Sequence, residues 1–444
     1  MLLTEIKKFS DSLLSKINNK KVKIISHFDT DGITSAAILS KTLERRNLQF
    51  SVKIIKSLSD KEIKKFPNDS LIILLDLGSG SIKELASLNR DIIIIDHHEP
   101  SQIDIPENIL IFNPHLYKDE YEDLCTAELC SLISNSISKE NIDLSKLAIL
   151  GMVGDTMEKN ISKIRNLIIT NADVKIKKGL LIYPSTRPID KALEFSSRPF
   201  IPGVTGDPKG TYELLREAEI EKTNKNYKAL IDLDDSEMKR LVTAVTLRLA
   251  LNESTDYIGN LYLIKFFNKI EDARELSAMI NACSRMDKPE IALMLCLGNT
   301  GAKKKAQKVY IKYRQHIISG LRHIDKNKKI EGREYVIINA KDSIKDTIIG
   351  TLASILSFSS VYKEGTIIVA MAYNEDKIKV STRMSGRSPK IKRNLKELME
   401  SITSIIGGES GGHKRAAGCV IDKKDEQKFI ELLQKKLEVE LIKI

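Results

Sequence analysis

Residues 22–32 read VKIISHFDTDG, and this stretch decides how the chain is read. Val22 to Ile25 form a short apolar run of strand type. Ser26 to Gly32 form a polar turn, and Ile33 to Arg45 carry helical spacing. The same arrangement recurs downstream. The β-branched run Leu71–Leu75 ends at Asp76, and Ile92–Ile95 ends at Asp96, His97 and His98. Uninterrupted apolar strands alternating with helical segments predict an α/β fold with a parallel sheet covered on both faces. Such sheets bind ligands beyond the C-terminal ends of their strands, where these polar residues stand. A fourth element, Leu144–Met152, fits either a helix or a strand and leads to Gly154 and Asp155. From Ile161 to Ile182 the pattern is mainly helical, with a turn near Asn171.

His27, Asp29 and Asp31 occupy alternate positions, so an extended backbone would point all three the same way. Added to Asp76, to Asp96, His97 and His98, and to Asp155, they form the collection of carboxylates and imidazoles that a pair of divalent cations needs. Asp76 stands alone after its strand and is the natural bridging ligand. Mixed imidazole and carboxylate donors suit Mn²⁺ better than Mg²⁺, with Mg²⁺, Zn²⁺ and Fe²⁺ left open. Asp96 is expected to orient an adjacent imidazole. A water activated by the two cations would attack phosphorus, with His98 donating to a phosphate oxygen or to the leaving group. His98, Asp29, Asp76 and Asp96 are therefore assigned to catalysis, and no Ser or Cys nucleophile is required. His115, in Asn113-Pro114-His115, either touches substrate or holds its loop.

The chain has 444 residues, enough for two or three domains. Its 71 Lys and Arg exceed 60 acidic residues, a net charge of +11 that favours polyanionic partners. Five Cys, an odd number with no CxxC pair, argue against a disulfide framework and a thiolate zinc site. The first 16 residues are amphipathic rather than signal-like, and no apolar run reaches the ~18 residues of a membrane span. A soluble cytoplasmic protein with no membrane partner is expected.

Residues 211 to 250 read as helical with a break near Asp232–Asp235, and 270 to 296 as a further helical region in which Cys283 and Cys296 are buried fillers. Lys303, Lys304, Lys305, Lys308, Lys312 and Arg314 load the next helix with positive charge, a solvated face or a backbone contact. The last domain begins near Arg333, with strands at Tyr335–Ile338, Ile367–Tyr373 and Ile378–Thr382 and helices at Asp342–Phe358 and Ile391–Ile402. Gly407, Gly408, Gly411 and Gly412 precede His413, Lys414 and Arg415. Open backbone amides at such a turn can hold phosphate, and Arg383 and Arg387 add further contacts to a nucleic-acid backbone. Gly411, Gly412, His413, Lys414, Arg415, Arg383, Arg387 and His115 are the substrate-binding candidates.

These segments resemble the DHH phosphoesterase superfamily. SHFDTDG, DLG at Asp76, DHH at Asp96 and GMVGD at Asp155 match its four motifs in order, and GGESGGHKRAAG (407–418) is similar to the signature of the associated DHHA1 domain. The resemblance implies one metal on His27, Asp29 and Asp76, and another on Asp31, Asp76, His97 and Asp155. It implies that His98 faces the substrate phosphate. It also implies a parallel-sheet DHH domain with a helical insertion and a smaller α/β DHHA1 domain, the active-site cleft lying between the two. The corresponding boundaries are 1–210, 211–332 and 333–444. The chain is more closely similar to archaeal RecJ-like exonucleases, including those that associate with the GINS replication complex, over nearly its whole length. The expected activity is metal-dependent exonucleolytic hydrolysis of single-stranded DNA or RNA in replication or repair. Two other readings are kept, a phosphodiesterase of linear or cyclic dinucleotides and a replication-scaffold subunit.

Overall fold

The computed structural model describes residues 2–101, 104–117, 123–196, 199, 201–249, 257–359, 361–386 and 393–442. It divides into two compact units, 1–310 and 311–444. The first unit opens with α1 (Leu2–Ile17), β1 (Lys21–His27), α2 (Thr30–Arg45), β2 (Phe50–Ile55), α3 (Asp60–Ile63), β3 (Ser70–Leu75), α4 (Ile82–Ala86), β4 (Ile92–Ile95) and β5 (Ile109–Phe112). The five strands are all parallel, in the order β2-β1-β3-β4-β5. The continuous apolar runs of β3 and β4 are buried on both sides. Ile72, Leu74, Ile92 and Ile94 pack with Ile63, Phe66, Ile82 and Leu85 on the face of α3 and α4. The alternate residues Ile24, Ile73, Ile93 and Ile95 are equally buried on the opposite face, where α2 lies against β1 and β3. Burial on both faces is why β3 and β4 lack the apolar–polar alternation of a half-exposed sheet, which edge strand β2 keeps.

The unit continues through α5 (Thr126–Ile137), α6 (Ser145–Gly154), α7 (Lys163–Asn171), β6 (Lys175–Leu180), α8 (Ile189–Glu194), α9 (Pro208–Glu217), α10 (Asp235–Arg248), β7 (Ile258–Phe266), β8 (Lys269–Asp272), α11 (Ala273–Arg285) and α12 (Pro289–Cys296). Helix α13 (Thr300–Lys326) runs past the division between the units. Strands β6, β7 and β8 form a separate antiparallel sheet. The second unit adds β9 (Ile330–Glu331), β10 (Tyr335–Asn339), α14 (Asp346–Ser357), β11 (Ile367–Asn374), β12 (Lys377–Met384), α15 (Leu395–Ile406), β13 (Glu409–His413), β14 (Ala416–Asp422) and α16 (Glu426–Ile442). Its six strands form a mixed sheet in the order β13-β14-β12-β11-β10-β9, with β10 and β11 parallel. The architecture is therefore a parallel α/β sheet with added helices, followed by a separate mixed-sheet domain. Among the described residues no helix is long and apolar enough to cross a membrane, and all five Cys are buried free thiols.

Four local expectations need correction. The stretch 161–182 is only half helical. Asp173, at φ 50°, reverses the chain after α7, and Lys175 then begins β6, paired with Leu263 of β7. A partner so distant in sequence leaves no local helical or strand period to read. The helices in 211–250 are separated by all of 218–234, where Glu219, Asn224 and Lys225 take positive φ. The region from 270 to 296 starts in strand β8. The glycine-rich segment is a hairpin rather than an open loop. Gly411 pairs with Gly418, His413 pairs with Ala416, and Lys414 and Arg415 form the turn.

Candidate metal centre

The ends of β1, β3 and β4 deliver their polar residues to one edge of the parallel sheet, as the strand runs require. The backbone is not extended through Asp29 and Asp31. His27 closes β1, Asp29 is the N-cap of α2, and Asp31 lies in the first turn of that helix. The Asp29 Oδ1 accepts the Gly32 amide at 3.0 Å. Gly32 is obligatory because a Cβ there would fall 2.3 Å from the His27 carbonyl oxygen.

This turn sends the two aspartates to different neighbours. The His27 Nδ1 lies 2.9 Å from Asp29 Oδ2 and 3.2 Å from Asp76 Oδ2. Asp31 is fully buried and accepts the amides of Thr126 and Ala127 at 2.8 Å each, at the N-terminus of α5. Those oriented amides offset part of its charge. The His97 Nε2 lies 3.4 Å from Asp155 Oδ2, 3.5 Å from Asp76 Oδ1 and 4.0 Å from Asp31 Oδ2. Two groups result: His27, Asp29 and Asp76, and Asp31, His97 and Asp155, each with donor atoms within 4.8 Å of one another. Asp76 reaches both, one oxygen toward His27 and the other toward His97. A third grouping of Asp76, His97 and His98 meets the same limit.

Local backbone chemistry supports the convergence. Asp76 sits at φ 58°, a left-handed conformation that Asp and Asn tolerate better than other side chains, and its amide donates to Ile95 O at 3.0 Å. The Thr126 hydroxyl donates to Asp76 Oδ1 at 3.2 Å. Asp155 is the C-cap of α6, so the helical alternative holds for Leu144–Met152. Helix α6 can approach this closely because residue 151 is glycine. A Cβ at Gly151 would lie 2.5 Å from Ala127 Cβ and 2.7 Å from Asp31 Oδ1.

Burial holds the Asp76 carboxyl well above the usual range, and Asp29, Asp31, Asp155 and Asp96 raise it further. Burial, then Asp31 and Asp29, do the same to Asp155. Burial also pushes Asp29 upward, but His27 and the Gly32 amide outweigh it and leave the group low. Among the described residues, the ion pairs of Asp29, Asp31, Asp76 and Asp155 are all with histidines. Four crowded carboxylates whose ion pairs among the described residues are with imidazoles alone form a donor set that fits divalent cations.

Asp96 has different surroundings. It is fully buried, yet Ser79 N–H donates to Oδ2 at 2.9 Å, while His97 N–H at 2.9 Å and His98 Nδ1 at 2.8 Å reach Oδ1. Burial raises its pKa, but the His98 contact and the hydrogen bonds from Ser79 outweigh that and hold it below the usual range. Of the two adjacent imidazoles, Asp96 therefore orients His98. Its hydrogen bond in turn raises the His98 pKa against the effect of burial. The His98 side chain is half exposed, so an oriented imidazole stands at the rim of the cluster.

Several supporting residues are not apparent from motif reading. Asn113 Nδ2 donates to Ser79 Oγ and His98 O, both at 2.8 Å, and its Oδ1 accepts the His115 amide at 2.9 Å. Asn113 follows the apolar run of β5, the position that Asp76 and Asp96 hold after β3 and β4, which was a usable signal. Buried Glu128 binds Arg165 through Nε at 2.7 Å and Nη2 at 2.8 Å. Arg165 also donates to the carbonyls of Met157 and Asn160, tying down the loop after Asp155. No local signal marks that pair. His115 lies on a short 3-10 turn and is half-buried.

The second unit carries the other candidates. His413, Lys414 and Arg415 are exposed on the hairpin, and Gly411 and Gly412 belong to its edge strand β13. Arg415 donates to Gly386 O, and Arg383 to Ser354 Oγ at 3.0 Å and Thr382 O at 2.9 Å. Arg387 lies outside the described residues.

Three family models match the chain: the DHH family N-terminal domain over 21–154, the DHH-CID domain over 182–258 and the DHHA1 domain over 333–439. An uncharacterized protein of Methanocaldococcus jannaschii is 29% identical, with 97% of this chain and 96% of that protein covered. The single-stranded-DNA-specific exonuclease RecJ of Bacillus subtilis is 26% identical over 34% of this chain and 21% of its own length. Among solved structures, Thermus thermophilus RecJ in complex with Mn²⁺ shares the fold at a TM-score of 0.61 and 17% identity, over 97% of this chain and about half (54%) of that one. CDC45 from Entamoeba histolytica does so at 0.69 and 13%, over 97% and 98%.

Proposed function

Because this chain is a RecJ-like DHH/DHHA1 protein, we propose that it is a metal-dependent exonuclease that hydrolyses phosphodiester bonds of single-stranded DNA or RNA. One observation carries the reading: two carboxylate–imidazole groups share the buried carboxylate of Asp76. His27, Asp29 and Asp76 would hold one divalent cation, and Asp31, Asp76, His97 and Asp155 the other. Mn²⁺ is the preferred ion, since the donors mix imidazole nitrogen with carboxylate oxygen. Bound there, the cations would lower the pKa of water and neutralise charge on the phosphate. His98, held by Asp96, donates a proton or a hydrogen bond at a phosphate or leaving oxygen. Thr126 and the α5 amides keep Asp76 and Asp31 in place. His115, Gly411, Gly412, His413, Lys414, Arg415, Arg383 and Arg387 are proposed as substrate contacts, and 1–210, 211–332 and 333–444 as functional divisions.

The test is a panel of end-labelled single-stranded DNA and RNA, labelled at either end, with Mn²⁺, Mg²⁺ or EDTA. Stepwise shortening that requires metal and disappears in Asp76→Asn is expected. Activity in EDTA, or an unimpaired variant, refutes the site. Cleavage of dinucleotides alone would replace the polymer reading with the small-substrate one. The likeness to the CDC45 fold supports a second reading, a role in a replication assembly that includes GINS. Failure to co-purify with GINS at physiological salt would oppose it.

A further inference from the structure

Helix α13 has two faces, and the packing of the fold uses one of them. Ala306, Val309, Tyr313, Gly320 and Ile324 form the buried face. Its neighbours include α14: the Tyr313 hydroxyl lies 3.0 Å from Thr351 Oγ1, and a Cβ on Gly320 would fall 2.6 Å from Leu352 Cδ1. The other face is exposed at Lys304, Lys308, Ile311, Gln315, Ile318 and Arg322. These positions step alternately by four and three residues, the 3.5-residue period of a coiled-coil seam. From Lys304 to Arg322 the stripe runs about 27 Å along the helix. Ile311 and Ile318 stand at its middle, 57% and 44% exposed.

The charge around this stripe is of one sign. Lys305, Lys312 and Lys326 flank it, and Asp325 is the only acidic residue in the helix. Lys303 is committed to Glu271. Among the described residues, by contrast, Lys304, Lys305, Lys308, Lys312, Arg322 and Lys326 form no ion pair. These cations select the occupant. A second copy of α13 would set lysine against lysine. A nucleic-acid backbone would pair the cations and leave both isoleucines in water. An acidic amphipathic helix satisfies both features, with apolar side chains on Ile311 and Ile318 and carboxylates against the lysines. We propose that this face of α13 docks such a helix, supplied by a partner protein. Docking there requires neither metal nor catalysis.

The probe is a synthetic fluorescent peptide of about four heptads, with leucine along its seam and glutamate at the flanking positions. One control peptide carries lysine for each glutamate, and another carries serine for each seam leucine. Each is titrated with the full-length protein in EDTA at physiological salt, and binding is read by fluorescence anisotropy. The wild type should bind the glutamate peptide about tenfold more tightly than either control. The double variant Ile311→Ser, Ile318→Ser should lose that factor and keep the wild-type melting temperature, since both side chains are exposed. The triple variant Lys305→Glu, Lys308→Glu, Lys312→Glu should reverse the preference and bind the lysine peptide best, a gain that a misfolded protein would not show. Glutamate-peptide binding no tighter than that of the controls up to about 100 µM, or unchanged in the isoleucine variant, overturns the assignment. A thymidylate strand of about 30 nucleotides is titrated into the same proteins. If the strand, and not the peptide, loses affinity in the lysine variant, the face is a nucleic-acid contact and the helix dock is wrong.

Discussion

Asp76→Asn should separate metal binding from folding. The substitution is isosteric, the φ of 58° suits Asn, and an amide oxygen can still accept from Thr126. It removes one negative charge from a buried site where Asp29, Asp31, Asp155 and Asp96 all disfavour it. The metal-free variant should therefore melt at or above the metal-free wild type. The response to metal should reverse that order. A ligand present at 100 times its dissociation constant stabilises the folded state by about 2.7 kcal/mol. For a unit of 310 residues, unfolding entropy of about 2.1 cal/mol/K per residue converts this to a rise of roughly 4 °C. Asp76 contributes to both donor groups, so its loss should abolish nearly all of that rise. The assay is calorimetry in EDTA and across a Mn²⁺ titration, for wild type and variant together. An undiminished metal-induced rise in Asp76→Asn would refute the shared-carboxylate argument. A metal-free variant several degrees below wild type would refute the electrostatic one.

The pH dependence has a definite sign. Asp76 and Asp155 have folded pKa values raised above the ordinary carboxyl value, so their contribution to metal-free stability is full below about pH 4 and is lost as pH rises through the folded values. In EDTA, the melting temperature of wild type minus that of Asp76→Asn should fall between pH 4 and neutrality, and a flat difference would contradict the assignment. Glu128→Ala leaves the Arg165 side chain, 1% exposed, without its carboxylate. A loss of about 3–5 kcal/mol is expected in denaturant titration, with a smaller Mn²⁺-induced rise because the loop after Asp155 loosens. Gly151→Ala drives a methyl toward Ala127 and Asp31. Overpacking of about 1–3 kcal/mol should appear in the same titration together with weaker Mn²⁺ binding, and wild-type metal affinity in that variant would show that α6 need not approach so closely.

The parallel sheet was legible because its central strands β3 and β4 are uninterrupted apolar runs, a pattern that only burial on both faces tolerates. The second sheet was not. Lys175–Leu180 has two buried residues at one end and lysines elsewhere, and becomes a strand by pairing with residues 258–263. The glycine-rich hairpin was read as an open turn because glycine carries no side-chain period from which strand pairing can be inferred. Likewise, His27, Asp29 and Asp31 were visible as ligand types, but their direction was misjudged. Asp29 caps α2, and a capped helix start rotates Asp31 away from the line an extended strand would follow.

Sequence alone determined which residues reach the edge of the parallel sheet. A parallel strand delivers its last residue to that edge whatever surrounds it, so His27, Asp76, Asp96 and His97 could be placed from their runs. Tertiary structure decided how these residues are shared out. Asp31 turns from Asp29 toward His97 and Asp155 because the amides of Thr126 and Ala127, some 95 residues away in the chain, are there to receive its charge. Asp155 arrives because Gly151 lets α6 close on α2 and α5. Asp96 lies beside two imidazoles and holds only His98, since the second imidazole is drawn toward Asp76 and Asp155. Hydrogen bonds and close contacts between distant segments make those choices, and such pairings have no counterpart in local order.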